Sequence, residues 1–229
     1  MNLYLSKLVL NPRNRAVQRD IYNCQSMHKR VMSAFDNLTV SNPRKKIGVL
    51  YRLNTVQYGN AVVLLIQSGV LPDWSVLSKN YLVEGVENLA VKDITKLFES
   101  LKLGLHYAFE LVACPTKKVG TITKEERLAG RKGNGRRIPL KGFEARMEWL
   151  EKKGNDHGFC IITADAAPQP ATYGVHAIKD IEKMKHQGVV YRGVLKITEL
   201  SLFKEVMQMG IGPARAYGFG MIMLYRRVG

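Results

Sequence analysis

The string LGLHYAFELVAC, residues 103–114, restricts the possible folds more than any other part of the sequence. Apolar residues occupy every second position, so an extended chain would have two different sides. These sides are Leu103, Leu105, Tyr107, Phe109 and Leu111, opposite Gly104, His106, Ala108 and Glu110. Such alternation is typical of a β-strand that packs one face into a core. We therefore predict a strand here, ended by Pro115.

The segments before this strand follow the order strand, helix, strand, strand, helix. The predicted strands are LYLSKLVL, IGVLYRLN and NAVVLLIQS. A helix is predicted from Ser26, with Ser26 or Asn23 as its cap, because apolar residues recur on one face after it. A second, short helix is predicted over 93–101. Together with the strand at 103–111, the order becomes β-α-β-β-α-β, which is that of a ferredoxin-like unit.

A second set of helices and strands follows. FEARMEWLEKKG predicts a helix that ends at Gly154, and LSLFKEVMQMG predicts another that ends at Gly210. Strands are predicted near 158–163, near 172–178, at VVYRGVLKI and at MIMLYRRVG, and the glycine-rich basic segment 115–142 predicts a loop. We therefore predict an α+β protein with two tandem ferredoxin-like βαββαβ domains. Their expected bounds are 1–98 and 99–229, and the second is expected to be the less regular.

The charge of the chain indicates the kind of partner that it binds. There are 35 Lys and Arg residues against 19 Asp and Glu, a net charge of +16. Residues 1–52 hold ten basic and two acidic side chains, and residues 105–142 hold nine and three. Two basic blocks of this kind favour a surface for a polyanion, and we predict nucleic acid.

Other classes of protein are disfavoured by what the sequence lacks. No apolar run reaches the roughly 20 residues of a membrane helix. Three scattered cysteines argue against both a disulfide framework and a cysteine-based zinc site. We therefore expect a cytoplasmic protein that has no membrane partner.

The string GIGPARAYGFG, residues 210–220, does not match a cofactor-binding loop. Dinucleotide loops and P-loops lie between a strand and a helix, whereas here a helix is predicted before the string and a strand after it. We therefore predict no cofactor. Gly210 fits a helix C-cap, and Gly218 and Gly220 allow close approach of a backbone or ligand. Arg215 between them has two interpretations: tight packing at a domain junction, or a phosphate held by a basic residue and bare amides.

Five segments together resemble the CasE family, the CRISPR RNA-processing endoribonucleases of the subtype I-E system. They are YLSKLVLNPRNR, MHKR, PDWSVL, RRIPL before MEWLEKK, and GIGPARAYGFG, in the family's order from residue 4 to residue 220. The resemblance implies two ferredoxin-like, RRM-like domains that cut precursor CRISPR RNA at each repeat hairpin. The implied partners are the CRISPR repeat RNA stem-loop and the other subunits of the Cascade surveillance complex, in which the product is retained.

The resemblance also assigns residues. It places the catalytic histidine at His28 and the family's glycine-rich loop at 210–220. The family often carries a tyrosine three residues before the histidine, where this chain has Gln25. We expect Tyr22 or a lysine, with Lys29 as the candidate, to act instead. The predicted RNA-binding residues are Arg30, Lys117, Lys118, Arg131, Lys132, Arg136, Arg137, Lys179, Lys183, Lys185, Gly210, Gly212, Arg215, Gly218 and Gly220.

Metal-independent cleavage requires the neighbouring 2′-hydroxyl to attack its own phosphate, which leaves 2′,3′-cyclic phosphate and 5′-hydroxyl ends. A base, an acid and cations must assist, and histidine suits either proton-transfer role. We expect His28 at a helix N-terminus, beside Lys29 and Arg30, to be biased towards its neutral form. The sequence predicts no metal site, since carboxylates do not converge in the basic blocks.

Two other interpretations of the sequence stay open. One is a non-catalytic RNA-hairpin-binding subunit of a ribonucleoprotein, with the same fold. The other is a protein that binds single-stranded DNA of any sequence.

Overall fold

The computed structural model describes residues 2–35, 43–55, 62–84, 87–120, 123–130, 135–175 and 183–228. Four strands form a first antiparallel sheet: β1 (Tyr4–Leu10), β2 (Leu50–Thr55), β3 (Val62–Ser68) and β4 (Leu89–Asp93). Three helices belong to the same part of the chain: α1 (Arg15–Tyr22), α2 (Cys24–Ser33) and α3 (Pro43–Lys46). The strand order is β2-β3-β1-β4, which is the ferredoxin-like order.

Strand β4 corrects one of our predictions. The fourth strand of the first sheet lies at Leu89–Asp93, where we found no periodic signal, and not at 103–111. Its side chains are mostly exposed, and backbone pairing with β1 holds it in the sheet. A strand that buries neither face has no alternation of apolar and polar residues, so the pattern in the sequence does not predict it. The helix expected over 93–101 is shorter, α4 (Thr95–Glu99), and connects the two sheets.

The second sheet is a complete ferredoxin-like unit with two insertions. Its strands are β5 (His106–Ala113), β8 (Phe159–Pro168), β11 (Val189–Ile197) and β12 (Ile222–Val228), in the order β12-β5-β11-β8. Its helices are α6 (Phe143–Asp156) and α7 (Leu200–Met209). The insertions are β6 (Thr116–Val119), α5 (Lys124–Leu128) and β7 (Arg136–Pro139) after β5, and the pair β9 (Thr172–Val175) and β10 (Lys183–His186) after β8. The predicted α+β class and tandem ferredoxin-like architecture are confirmed.

The two units depart from the regular pattern in different ways. The second unit has both helices, whereas the described residues between β3 and β4 contain only the 3₁₀ turn Trp74–Val76. The segment 115–142, expected to be a loop, contains the paired strands β6 and β7. The predicted boundary between the two domains, at residues 98 and 99, falls inside α4, and it stays a prediction.

Two helix ends also differ from expectation. Helix α2 begins at Cys24, two residues early, because the Asn23 side chain accepts hydrogen bonds from the Gln25 and Ser26 amides. Helix α6 continues through Gly154, which is not its C-cap. A Cβ at Gly154 would meet the Phe159 carbonyl oxygen at 2.5 Å, so the glycine allows the helix to pack closely on β8. Helix α1 was not predicted at all.

An ion cluster with a buried Arg52–Glu110 pair joins the two sheets. Glu110 of β5 accepts hydrogen bonds from Arg52 of β2 and, at 2.5 Å, from Nε of Arg192 of β11. The side chains of Arg52 and Glu110 are only 6% and 10% exposed. Burial raises the pKa of the Glu110 carboxyl, but the two guanidinium groups outweigh burial and hold it below its ordinary value of 4.5. The cluster therefore stabilises the domain junction while Glu110 is ionised.

Within the described ranges, no helix combines the length and the apolar character that a membrane crossing requires.

We expect Glu110→Gln to lower the free energy of unfolding by about 3–5 kcal/mol at neutral pH, since Arg52 would keep a buried, uncompensated charge. Because the folded pKa is depressed, the contribution of Glu110 is present above pH 4.5 and is lost as the pH falls through the lower folded value. Urea unfolding of both proteins as a function of pH measures this. Asp156→Asn, which breaks the more exposed Lys153–Asp156 pair, is the control and should change stability little. Equal losses of stability in Glu110→Gln and Asp156→Asn would contradict the stabilising role assigned to the Glu110 cluster.

Candidate functional site

His28 lies on α2 at the junction between the two sheets. Met27 and Val31, on the buried face of the helix, pack into the first core. Helical spacing then places His28 on a neighbouring face, where it is half-buried. His28 is the fifth residue of α2 and lies in its second turn, so the expected position at the helix N-terminus is wrong.

The glycine-rich loop, residues 210–220, closes on itself after α7. The Ile211 amide donates to the Gly220 carbonyl at 2.9 Å, and the Gly220 amide donates to the Val112 carbonyl of β5 at 2.7 Å. Gly210 ends α7 with a φ of 76° and Gly220 has a φ of 87°, backbone conformations that glycine adopts at least cost. A Cβ at Gly220 would lie 2.5 Å from the Ile211 oxygen. These glycines allow the loop to close tightly. This agrees with the first of the two interpretations of the string, tight packing at a domain junction.

Arg215 is fixed by the same loop. Its Nη1 donates to the carbonyl oxygens of Met209 at 3.1 Å and Gly210 at 3.2 Å. These bonds use the carbonyls at the end of α7, where a cation is favoured. Packing and phosphate binding are therefore compatible for Arg215, because a guanidinium has five N–H donors.

The loop is attached to α2 through Tyr51 of β2. The buried Tyr51 hydroxyl lies 3.1 Å from the Ala216 carbonyl oxygen and 3.5 Å from the Cys24 carbonyl oxygen. Burial, and then the neighbouring Cys24 and Tyr217, raise the pKa of Tyr51 well above its ordinary value, so the hydroxyl keeps its proton and donates it. Tyr51 therefore sets the position of the loop against the helix that carries His28.

The surroundings of His28 favour the neutral imidazole. Burial, and then the positive charge of Arg44, lower the pKa of His28 below its ordinary value of 6.5. A hydrogen bond to the Ala216 backbone opposes this shift. The expected bias towards the neutral form is thus present, but burial and Arg44 cause it, not the helix terminus, Lys29 or Arg30.

Two further rings lie beside His28. The Tyr217 ring meets the His28 ring edge to face, with centroids 6.1 Å apart. On Tyr217 the ring of His186, from β10, is stacked at 5.0 Å. The His186 Nε2 atom is buried and has no hydrogen-bond partner among the described residues. No sequence signal marks Tyr217 or His186 as members of this group of rings, because the glycine-rich loop and the β9–β10 pair reach α2 only through tertiary packing.

The other residues predicted near the reaction lie differently. Tyr22 is 80% exposed at the end of α1, and the tyrosine that touches His28 is Tyr217. Lys29 is exposed on α2, next to His28. Arg30, predicted to bind RNA, donates to the fully buried Asp20 at 3.0 Å and lies over the Tyr81 ring at 5.0 Å. Arg30 is therefore engaged in joining α1 to α2.

Predicted RNA-binding residues from distant parts of the sequence line one groove of about 870 Å³. It runs between β6, β7, α6 and the glycine-rich loop, and we call it the basic groove. The predicted residues that line it are Lys117, Lys118, Arg137, Gly210, Gly212 and Arg215. Helix α6 adds Lys152, Lys153 and His157, which the sequence analysis missed. The sequence did contain a signal for these residues. They are basic residues near the end of a predicted helix, and that helix follows the basic segment 115–142.

The remaining predicted residues lie elsewhere. Arg136 is exposed on β7, and Gly218 lies beside the Tyr51 ring. Lys185 is exposed on β10 with its Nζ 5.8 Å from the centre of the Tyr173 ring. Arg131, Lys132, Lys179 and the side chain of Lys183 lie outside the described residues. In the part of the chain that the structure describes, no three His, Cys, Asp or Glu residues are grouped so that they could hold a metal ion.

Comparison with known proteins agrees with this geometry. The profile of the family described as CRISPR associated protein matches residues 3–226. The chain therefore belongs to this family, and the resemblance to CasE proteins is confirmed.

Two characterised relatives cover nearly the whole chain. The CRISPR-associated endoribonuclease Cse3 of Thermus thermophilus is 28% identical over 229 residues, 96% of this chain and 98% of Cse3. The CRISPR system Cascade subunit CasE of Escherichia coli (strain K12) is 25% identical over 224 residues, 97% of this chain and 98% of CasE. The structure of Thermus thermophilus Cse3 bound to an RNA representing a pre-cleavage complex has a TM-score of 0.76 at 26% identity, and covers 99% of this chain and 100% of Cse3.

We expect Gly220→Ala to destabilise the protein by roughly 3 kcal/mol, because it combines a positive φ with a backbone clash. Gly104→Ala is the matched control, since Gly104 has a φ of 80° and nothing within 4 Å of an added Cβ. Gly104→Ala should lower the free energy of unfolding by about 1 kcal/mol, which is the strain of the backbone conformation alone. Chemical denaturation measures both. A Gly220→Ala protein no less stable than the control would show that the loop is not closed as described.

Proposed function

We propose that this protein is an endoribonuclease that cleaves precursor CRISPR RNA at the repeat stem-loop and retains the mature guide RNA. The observation that carries the proposal is the setting of His28: a half-buried imidazole at the domain junction that meets the Tyr217 ring of the glycine-rich loop edge to face, in surroundings that lower its pKa. The names of its relatives support it, since Thermus thermophilus Cse3 is an endoribonuclease with a structure bound to a pre-cleavage RNA.

The lowered pKa of His28 supports a base role in the proposed reaction. In the neutral ring one nitrogen carries the proton and the other carries a free lone pair. That nitrogen accepts the proton of the 2′-hydroxyl as the 2′-oxygen attacks the adjacent phosphorus. The bond from phosphorus to the 5′-oxygen then breaks, and the departing oxygen takes up a proton. The products are a 2′,3′-cyclic phosphate and a 5′-hydroxyl, and no metal ion takes part.

Assistance from Lys29 or Tyr22 stays a prediction. Lys29 follows His28 on the exposed side of α2, so its ammonium can approach a bound phosphate. Tyr22 is exposed and would have to be brought to the phosphate by the RNA itself.

The basic groove supports a path for the stem of the RNA. It begins at the exposed lysines of β6 and ends at Arg215 in the glycine-rich loop, next to the junction that holds His28. Double-stranded RNA is recognised through its phosphates and A-form shape, which cationic side chains along a groove can follow. We propose that the groove binds the stem and thereby directs the base of the hairpin towards His28.

The proposed setting of this activity is the cytoplasm, within a Cascade complex. The Escherichia coli relative is named as a Cascade subunit. The three cysteines of the chain are unpaired, which agrees with a reducing compartment.

We expect His28→Ala to slow single-turnover cleavage of the cognate repeat stem-loop RNA by about 10²–10⁴-fold, the usual contribution of a positioned base. His106→Ala, which removes an imidazole on β5 far along the chain, is the control and should cleave normally. Cleavage by the unmutated protein should persist in EDTA and should be abolished by a 2′-deoxy substitution at the cut site.

Three outcomes would contradict the proposal. Loss of cleavage in EDTA with recovery in Mg²⁺ would indicate a metal-dependent nuclease. Tight binding of the hairpin without cleavage would indicate a non-catalytic subunit. Equal binding of hairpin RNA and unrelated single-stranded DNA would indicate a general single-strand binder.

A further inference from the structure

The paired strands β9 and β10 lie between the helix that carries His28 and the glycine-rich loop. Gly174 of β9 packs on α2, because a Cβ built on Gly174 would lie 2.6 Å from the Cys24 sulfur. Gly188, just after β10, packs on the loop, because a Cβ built there would lie 2.9 Å from the Phe219 ring. The strand pair therefore contacts both parts of the site closely.

His186 of β10 extends this contact to the aromatic rings of the site. Its ring is stacked on the Tyr217 ring, with centroids 5.0 Å apart and an angle of 22° between the planes. It also meets the Phe219 ring edge to face at 6.0 Å. Tyr217 in turn meets the His28 ring edge to face at 6.1 Å. Aromatic pairs are attractive and prefer particular orientations, so in this series of three rings each one restrains the next.

His186 contributes a ring surface to this series and not a hydrogen bond from its buried nitrogen. The Nε2 atom has no hydrogen-bond partner among the described residues. Burial lowers the pKa of His186 below its ordinary value of 6.5, so the ring is neutral at neutral pH. A neutral ring with an unpaired buried nitrogen acts on Tyr217 as a flat apolar surface does. A phenylalanine at this position can therefore supply the same contact.

We propose that His186 is a positioning residue, which holds the Tyr217 ring by stacking and thereby sets the orientation of the His28 imidazole for proton transfer. The inference rests on the proposed ribonuclease function and extends it to the strand pair β9–β10. Without the stacked ring, Tyr217 is free to turn, and His28 loses the ring against which it is set. A displaced base is a poorer catalyst, because proton transfer requires hydrogen-bond reach to the reacting hydroxyl.

His186→Ala tests the proposal, because it removes the stacked ring and leaves the strand backbone. We expect single-turnover cleavage of the repeat stem-loop RNA to slow by about tenfold, which corresponds to the loss of one aromatic pair from the transition state. Affinity for the uncleavable 2′-deoxy hairpin should change less than about threefold. His106→Ala is the matched control, since it removes another half-buried imidazole, on β5, and its rate should stay within about twofold of the unmutated protein.

Two further variants separate positioning from a general loss of structure. His186→Phe keeps the stacked ring without its nitrogens, so cleavage should return to within about twofold of the unmutated rate. Tyr217→Leu removes the ring through which His186 acts. Adding His186→Ala to Tyr217→Leu should therefore slow cleavage by less than about twofold, whereas two independent contributions would multiply. Urea unfolding of each variant shows that folded proteins are compared.

The opposite results would contradict the role of His186. Cleavage by His186→Ala at the rate of His106→Ala would show that His186 takes no part in the reaction. An equal loss of 2′-deoxy hairpin affinity would make His186 a binding contact only. A His186→Phe protein as slow as His186→Ala, or independent effects of His186→Ala and Tyr217→Leu, would exclude positioning through the stacked rings. Failure of the unmutated protein to cleave, with intact binding, would refute the proposed function itself, and the role of His186 would fall with it.

Discussion

The hydrogen bond from the Tyr51 hydroxyl to the Ala216 carbonyl is the contact on which the site depends. Tyr51 belongs to the first sheet and Ala216 to a loop that closes the second, so this one bond fixes the loop of one domain against the helix of the other. Tyr217, the next residue of the loop, meets the His28 ring edge to face. The Glu110 cluster also maintains the junction, by joining β2 to β5 and β11. The proposed site is therefore a property of the domain interface, and neither domain contains it alone.

The arginines near the junction differ in the partners that they have among the described residues. Arg30 and Arg52 are neutralised by Asp20 and Glu110, and they serve packing. Arg44 and Arg215 have hydrogen bonds to carbonyl oxygens but no carboxylate among the described residues. The neutral imidazole has a separate cause: burial of His28, and then the positive charge of Arg44, lower its pKa.

Much of the fold was predictable because its core strands and helices have strong local signals. The strand β11 and the helix α7 occur where alternation and a terminal glycine predicted them. Strand β4 and helix α1 were missed because both bury few apolar side chains: β4 is mostly exposed, and Val17 and Asp20 are the buried residues of α1. Such elements are held by backbone pairing or by a buried ion pair, which leave no periodic trace in the sequence.

The site was predictable only in part, for a related reason. His28 and the glycine-rich loop were found because their residue types and order resemble those of a known family. Tyr217 becomes a neighbour of His28 only when the two domains pack, and His186 joins them by stacking on Tyr217. No local spacing encodes these contacts. Arg30 was assigned to RNA as one of several basic residues, whereas its actual partner, Asp20, lies ten positions earlier in the chain.

The state of the His28 ring is the central claim, and nitrogen-15 NMR of histidine-labelled protein tests it most directly. A pH titration reports both the pKa and the nitrogen that carries the proton. We expect His28 to titrate below 6.5, so that at neutral pH only one of its ring nitrogens is protonated. A midpoint at or above 6.5 would contradict the account.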